Sequence, residues 1–165
     1  MILIGFDPGL AHTGWGVIED ASGRFRLREY GVIETSASRP TAERLMTIGD
    51  AVADLLTRFS PDAAGMEKLF FAKNRTSAIP VAETCGVILA ETARKRIPVC
   101  ELTPIQIKQS VTGDGRAEKE AVQIMVRRLL NLKENPRPDH AADALAAAIA
   151  GSRFSSFQEK VKNRV

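Results

Sequence analysis

The feature that most constrains the fold of this chain is a change in hydrophobic periodicity near residue 40. Before that point, three runs at residues 1–7, 13–20 and 25–35 have the short apolar or alternating patterns of β-strands. Pro8 and Gly9 stop the first run, and a short turn separates the second run from the third. Strands joined by such short connections pair antiparallel, so we expect the chain to begin with a three-stranded meander.

Beyond residue 40, apolar residues recur every three or four positions, which predicts a helix from Thr41 to Phe59 with Thr41 as its N-cap. Further strands are predicted at 62–67 and 97–101, and further helices at 77–96, 104–111, 117–132 and 138–151. Pro80 is compatible with its helix only in the first turn, with Ser77 as the N-cap. Since strands that alternate with helices favour parallel pairing, we predict an α/β domain. Its mixed five-stranded sheet would have three antiparallel strands, then parallel strands, flanked by helices.

The composition is that of an ordinary globular protein and excludes few functions. The 165 residues are 44% hydrophobic and 26% charged, which argues against disorder and fits one domain. We assign residues 1–151 to this domain and residues 152–165 to a basic, mobile tail. No apolar run approaches the roughly 18 residues of a membrane span, and the net charge of +3 weakly favours an anionic partner. Cys85 and Cys100 lie in apolar segments, which predicts buried free thiols and a cytoplasmic protein.

Three acidic residues stand out because each belongs to an apolar element. Asp7 ends the first strand, Glu67 ends the fourth, and Asp143 lies on an Ala-rich helix. A buried carboxylate is costly unless it is paired or binds a cation. Each strand residue also has an ordinary interpretation, since Asp7 can cap the turn that follows it and Glu67 can be an edge charge.

The same helix carries two more candidates in its first turn. Asp139 and His140 precede Asp143 by four and three residues, so each shares a helical face with it. In the ordinary interpretation, Asp139 interacts with the helix dipole and His140 is a packed or capping histidine. Taken together, however, the acidic positions could converge on divalent metal. Mg²⁺ prefers carboxylate oxygens, and two such ions can stabilise the attacking and leaving oxygens of phosphodiester hydrolysis.

Four segments of the sequence are similar to those of a known family. They are IGFDPGLAHTGWGVI, MEKLFFAKN, QIKQSVTGDGRAEK and NPRPDHAADALAAAI. In content, order and spacing they resemble the RuvC family of bacterial Holliday-junction resolvases, in the RNase H-like superfamily, over residues 1–151. The resemblance implies an RNase H-like fold. It also implies a metal-dependent endonuclease that resolves four-way DNA junctions by paired symmetric nicks, in recombination and DNA repair.

The resemblance further implies a metal site. Asp7, Glu67 and Asp143 match the carboxylates of the family, and His140 matches a position where some members carry Asp and others His. The implied cofactor is Mg²⁺, with two ions per active site and Mn²⁺ as a substitute. Since imidazole is a poorer Mg²⁺ ligand than carboxylate, His140 is expected either to ligate or to orient or deprotonate the attacking water. Asp139 is a rival ligand, but it lies one residue out of register with the motif.

Further residues match positions at which the family contacts DNA. Phe70 is expected to stack on an unpaired base, and Lys108 and Lys119 to contact phosphate and neutralise charge in the transition state. The same residues have ordinary alternatives, as a core aromatic and as solvated lysines. The weaker candidates for phosphate contact are Lys73, Arg75 and Arg116.

The resemblance implies a homodimer, to which the helix at 77–96 could contribute, and four-way junction DNA, RuvA and RuvB as partners. The main alternative is a non-cleaving RNase H-fold module that binds branched DNA, since His140 departs from an all-carboxylate site. The sugar-kinase, Hsp70 and actin class of ATPases has a superficially similar first phosphate loop. That class needs two domains that enclose ATP, and this chain is too short for them.

Overall fold

The described part of the chain forms a five-stranded mixed sheet, as predicted. The computed structural model describes residues 1–68 and 75–162, with side chains described up to residue 68 and from 78 to 154. The strands are β1 (Ile2–Asp7), β2 (His12–Ala21), β3 (Arg24–Glu34), β4 (Ala63–Glu67) and β5 (Val99–Leu102). Their order is β3-β2-β1-β4-β5. The first three strands pair antiparallel, whereas β4 pairs parallel with both β1 and β5.

Five helices in the described residues cover the two faces of the sheet. They are α1 (Thr41–Phe59), α2 (Arg75–Arg94), α3 (Pro104–Thr112), α4 (Lys119–Leu129) and α5 (Asp139–Lys162). The alternation of side chains along the strands divides the core in two. Ile4 packs with α1 and α2, whereas Leu3 packs with α3, α4 and α5. Odd-numbered residues of β1 therefore face α5.

Helix α5 lies directly on the backbone of the central strands. A Cβ atom on Gly5 would be 1.9 Å from the carbonyl oxygen of Ala144, and one on Gly65 would be 2.2 Å from that of Ala147. Gly5 and Gly65 pair with each other across β1 and β4, so they form a flat floor for the small side chains of the helix. Because no larger side chain separates the two layers, backbone contact fixes the position of α5 relative to the strand ends.

Further along its length, α5 is attached to three other elements. Ser152 is fully buried and donates a hydrogen bond to the carboxylate of Asp20 in β2. Arg153 donates a hydrogen bond to the backbone carbonyl of Ser110 in α3, and its guanidinium lies 5.7 Å from the ring centroid of Phe25 in β3. These contacts hold the helix well beyond its N-terminus.

The starts of α1 and α2 differ from the sequence predictions. The N-cap of α1 is Pro40 rather than Thr41, and no side chain caps this terminus. The second helix begins at Arg75, so the prediction of Ser77 as its N-cap was wrong and Pro80 lies inside the helix. A proline at the sixth position of a helix removes a single backbone hydrogen bond near the terminus, which a 20-residue helix tolerates.

The end of α5 also differs from the prediction. The helix continues beyond Gly151 to Lys162, because Gly151 serves close packing rather than helix termination. A Cβ atom at Gly151 would be 3.1 Å from the Cα atom of Gly65. The division into a domain at 1–151 and a mobile tail at 152–165 stays a prediction, although one helix runs through the boundary.

Cys85 and Cys100 are both free thiols, as predicted. Cys85 is buried, but Cys100 is only partly buried, because β5 at the edge of the sheet is covered incompletely. Among the helices that the structure describes, none combines the length and the apolar character needed to cross a membrane.

Candidate active site

The ends of β1 and β4 place two carboxylates side by side. Phe6 pairs with Met66 in the parallel register, and Asp7 and Glu67 are the next residues of their strands. Each carboxylate lies two residues after a glycine that touches α5, so both belong to the face that this helix covers. The two strand ends therefore point their acidic groups towards the start of α5.

The first turn of α5 faces these carboxylates. His140 Nδ1 lies 2.7 Å from Asp7 Oδ2, and since an ionised carboxylate only accepts hydrogen bonds, Nδ1 is the donor. Asp143 lies about one turn further along the helix, and its charge acts on both Asp7 and Glu67. The structure thus places the four residues predicted to form the metal site at the same end of the sheet, and their role as ligands stays a prediction.

Lys119, the first residue of α4, binds the acidic residues of α5. Its Nζ atom lies 3.0 Å from Asp143 Oδ2 and 3.2 Å from Asp139 Oδ2. Asp139 also accepts a hydrogen bond of 3.0 Å from Gln123 Nε2. Asp139 therefore pairs with α4, whereas His140 contacts the carboxylate at the end of β1.

Burial and mutual repulsion disfavour the charged forms of the strand carboxylates. Burial is the main cause that raises the pKa of Glu67 to about 7, and the charges of Asp7 and Asp143 act in the same direction. The positive charges of Lys108 and Lys119 offset this only in part. Burial also raises the pKa of Asp7, although its hydrogen bond to the imidazole opposes the shift. The cluster therefore carries more negative charge than its surroundings stabilise.

The lysine beside the cluster keeps its positive charge. Burial alone would lower the pKa of Lys119, but hydrogen bonds to Asp143 and Asp139 hold it above its usual value. The hydrogen bond from Lys119 in turn lowers the pKa of Asp139. Both partners are charged at neutral pH, so α4 supplies a permanent positive group next to the carboxylates.

A cleft of about 290 Å³ opens beside the cluster. Its polar lining consists of Glu67, Lys108, Lys119 and Asp143, and its apolar lining of Pro104, Ile107, Val122 and Ala146. Lys108 reaches the cleft from α3, whose start is fixed by a reciprocal capping box between Thr103 and Gln106. Lysines and carboxylates both line the cleft. The lysines could contact a phosphodiester, and the carboxylates could hold cations beside it.

The donor chemistry of the cluster fits a divalent cation. Three carboxylates supply the hard oxygen ligands that Mg²⁺ prefers, and the imidazole adds a softer donor. Within the described residues, no three His, Cys, Asp or Glu side chains are already close enough together to share a cation. Two of the carboxylates are instead engaged by His140 and Lys119. A cation bound among them would relieve the repulsion that helps to raise the pKa of Glu67.

The remaining predicted DNA contacts lie apart from the lining of the cleft or outside the described residues. Arg116 is exposed on the connection between α3 and α4, where its backbone N–H donates a hydrogen bond of 2.9 Å to Asp114. Phe70 and Lys73 lie outside the described residues, as does the side chain of Arg75. The contacts expected of these four residues stay predictions.

Two residues of the cluster were not found from the sequence, His12 and Gln123. The ring of His12 stacks on the ring of His140, with centroids 5.6 Å apart and planes 5° apart. Gln123 holds Asp139 through the hydrogen bond described above. The signal that could have found His12 is its place in the first segment that resembles the family. For Gln123 the sequence offers none, since it lies in an ordinary amphipathic helix.

Comparison with known proteins identifies the family. Residues 3–151 match the family model described as Crossover junction endodeoxyribonuclease RuvC. The protein of that name from Treponema denticola is 51% identical over 147 residues, which cover 89% of this chain and 83% of that protein. The one from Moorella thermoacetica is 43% identical over 162 residues, which cover 98% and 97%.

Solved structures agree with the sequence comparisons. RuvC of Thermus thermophilus in complex with a Holliday junction substrate matches with a TM-score of 0.91 and 38% identity, over 96% of each chain. The yeast mitochondrial Holliday junction resolvase matches with a TM-score of 0.65 and 13% identity, which shows a common fold alone. On the family match, the identities and the shared architecture, this chain belongs to the RuvC family of crossover junction endodeoxyribonucleases.

Proposed function

We propose that this chain resolves four-way (Holliday) DNA junctions as a structure-selective endonuclease in recombination and repair. It would make paired symmetric nicks by metal-assisted hydrolysis of phosphodiester bonds. The observation that carries the proposal is the convergence of Asp7, Glu67 and Asp143 at one end of the sheet, beside a cleft that Lys108 and Lys119 also line. Membership of the RuvC family supports the same conclusion.

The carboxylates are proposed to bind two Mg²⁺ ions, for which Mn²⁺ can substitute. Ions bound there would stabilise charge on the attacking and leaving oxygens of the phosphodiester. The chain itself contributes the rest: Lys108 and Lys119 hold the phosphate and neutralise charge that develops on it. Lys119 contacts one oxygen of Asp143, so the other oxygen of this carboxylate would be available to a cation.

His140 is proposed to act in one of two ways, as a metal ligand or as a proton acceptor, and a substitution can distinguish them. As a ligand it would add a fourth donor to the three carboxylates, and as a proton acceptor it would orient and deprotonate the attacking water. His140→Asn keeps an oxygen donor but removes the proton acceptor, whereas an aspartate at this position could serve in both roles. Retained cleavage in His140→Asn would support the ligand role, and loss of cleavage with intact Mn²⁺ binding would support the proton-acceptor role.

The DNA and protein partners follow from the same proposal. A homodimer would place two active sites on the two symmetric strands of a junction, which paired nicking requires. Phe70 is proposed to stack on an unpaired base, and Lys73, Arg75 and Arg116 to contact phosphate. RuvA and RuvB are proposed as partners. A nuclease that acts on junctions must share a compartment with the DNA, which supports the expected cytoplasmic location.

The decisive experiment compares a labelled four-way junction with a linear duplex of the same sequence, in Mg²⁺, Mn²⁺ or EDTA. We expect paired symmetric nicks in the junction alone, lost in EDTA. Asp7→Asn serves as the inactive control, and its junction binding is measured by mobility shift. Tight junction binding without cleavage in any metal would contradict the proposal and favour a module that binds branched DNA without cutting it.

A further inference from the structure

We propose that His12 is a positioning residue that holds the imidazole of His140 in the orientation required at the active site. The two rings stack with centroids 5.6 Å apart and planes 5° apart. At its edge, the same His140 ring donates a hydrogen bond of 2.7 Å from Nδ1 to Asp7 Oδ2. The inference rests on the proposed function in one respect, since it takes His140 to act in cleavage.

The His140 ring needs such a contact because packing does not hold it. Its side chain is 47% exposed, and a single hydrogen bond leaves the ring free to swing about the bonded atom. The stack restricts this freedom, since the hydrogen bond to Asp7 holds the edge of the ring and the exposed His12 ring lies parallel to its plane. With Nδ1 bonded to Asp7, the direction of Nε2 is then defined as well.

The strand that carries His12 is itself firmly held. Thr13 is fully buried and donates a hydrogen bond of 2.7 Å from Oγ1 to the carbonyl of Gly9. Two residues beyond His12, on the same face of β2, a Cβ atom at Gly14 would be 2.0 Å from the carbonyl oxygen of His140. Strand β2 thus contacts His140 in two places. Gly14 packs against its backbone, and the ring of His12 stacks on its side chain.

Stacking requires a planar ring but no nitrogen atoms. Two substitutions at position 12 can therefore distinguish a stacking role of His12 from a role of its nitrogens. His12→Phe keeps an aromatic ring and removes both nitrogens, so it can neither bind a cation nor donate to a phosphate. His12→Ala removes the ring as well. Glu34 is exposed and pairs with His12 across β2 and β3, so Glu34→Ala is a matched control that alters the same strand pair.

Nuclear magnetic resonance tests the stack, because the chain has two histidines and removal of either one assigns the other. In the full chain, without DNA, in EDTA and at one fixed pH, we expect the ring-proton signals of His140 to shift in His12→Ala, because the ring loses its aromatic neighbour. Glu34→Ala should leave these signals unchanged. A His140 signal that does not move in His12→Ala would overturn the proposal.

Cleavage kinetics supply the second readout. In single-turnover reactions at saturating junction, we expect His12→Ala to lower the rate constant about three- to tenfold with the junction Kd unchanged. His12→Phe should restore most of that rate. Equal losses in the two variants would show that His12 acts through its nitrogens and would overturn the proposal. If the wild-type chain cuts no junction, the proposed function fails, whereas the ring signals still decide whether His12 stacks on His140.

Discussion

Replacement of Gly5 by alanine tests the contact that aligns the active site. The added Cβ atom would lie 1.9 Å from the carbonyl oxygen of Ala144 and 2.5 Å from the amide nitrogen of Ala148. Both are backbone atoms, so no change of rotamer can avoid them. To reach an ordinary contact distance, α5 must move away from β1 by about 1.5 Å.

The size of this movement sets the expected effects. Overpacking in a core costs about 1–3 kcal/mol, and here we expect about 3 kcal/mol because the obstructing atoms belong to the backbone. Asp143 precedes Ala144 on the same helix and moves with it, away from the strand carboxylates. Since a misplacement of about 1 Å can cost about 100-fold in rate, we expect Gly5→Ala to lower the cleavage rate by at least this factor.

Urea unfolding and single-turnover cleavage measure the two effects, and other glycines provide graded controls. At Gly16 the Cβ atom would meet the flexible side chain of Leu145, at 2.5 Å from Cδ2, so Gly16→Ala should be milder than Gly5→Ala. At Gly86, an exposed position within α2, no atom lies within 4 Å. Gly86→Ala should therefore raise the free energy of unfolding by about 0.5–1 kcal/mol. Wild-type stability and rate in Gly5→Ala would refute direct contact between α5 and β1.

Three other substitutions test the site. Asp7→Asn should abolish cleavage but leave junction affinity within a few-fold of wild type in a mobility-shift assay; cleavage comparable with wild type would exclude Asp7 from the site. Lys119→Ala should lower the cleavage rate about 100-fold. It should change the free energy of unfolding by less than about 1 kcal/mol, since its ion pairs are exposed, and a larger change in urea unfolding would assign Lys119 a structural role. The pKa of Glu67 is about 7 in the folded protein against an ordinary 4.5, so the folded state binds the extra proton between these values. The free energy of unfolding in EDTA should therefore fall as pH rises from 4.5 to 7, and Glu67→Gln should reduce this fall, since the raised pKa of Asp7 contributes a part of the same sign; an identical pH dependence in the variant would contradict the assignment.

The strand and helix pattern and the acidic cluster were open to prediction because both depend on local chemistry. Asp7 and Glu67 interrupt apolar strands, and Asp143 interrupts an Ala-rich helix, so each required a partner or a ligand. Parallel pairing of β1 and β4 then placed the two strand ends together. Prediction from local pattern failed where a contact with a residue distant in sequence determines the role of a residue. Gly151 reads as a helix terminator, but in the structure it lets α5 approach Gly65.

Pairings between residues far apart in sequence could not be predicted. A histidine at position 12 has no local feature that connects it with position 140, and only the fold brings the two rings together. From the sequence, Asp139 and His140 were both open to prediction as ligands on neighbouring positions of one helix. In the structure they have different partners, since Asp139 bonds Lys119 and Gln123 whereas His140 bonds Asp7.

The attachment of α5 beyond residue 150 has a consequence for how cleavage can be tuned. The helix crosses the glycine floor between its acidic first turns and Ser152, which lies nine residues, or about 14 Å, beyond Asp143. Because one continuous helix joins the two positions, a displacement of α5 at Ser152 also displaces Asp143. Substitutions at Ser152 or Arg153 can thus change the spacing of the carboxylates proposed to bind metal, from a distance. The rate of junction cleavage could in this way be tuned without replacing any residue of the candidate site.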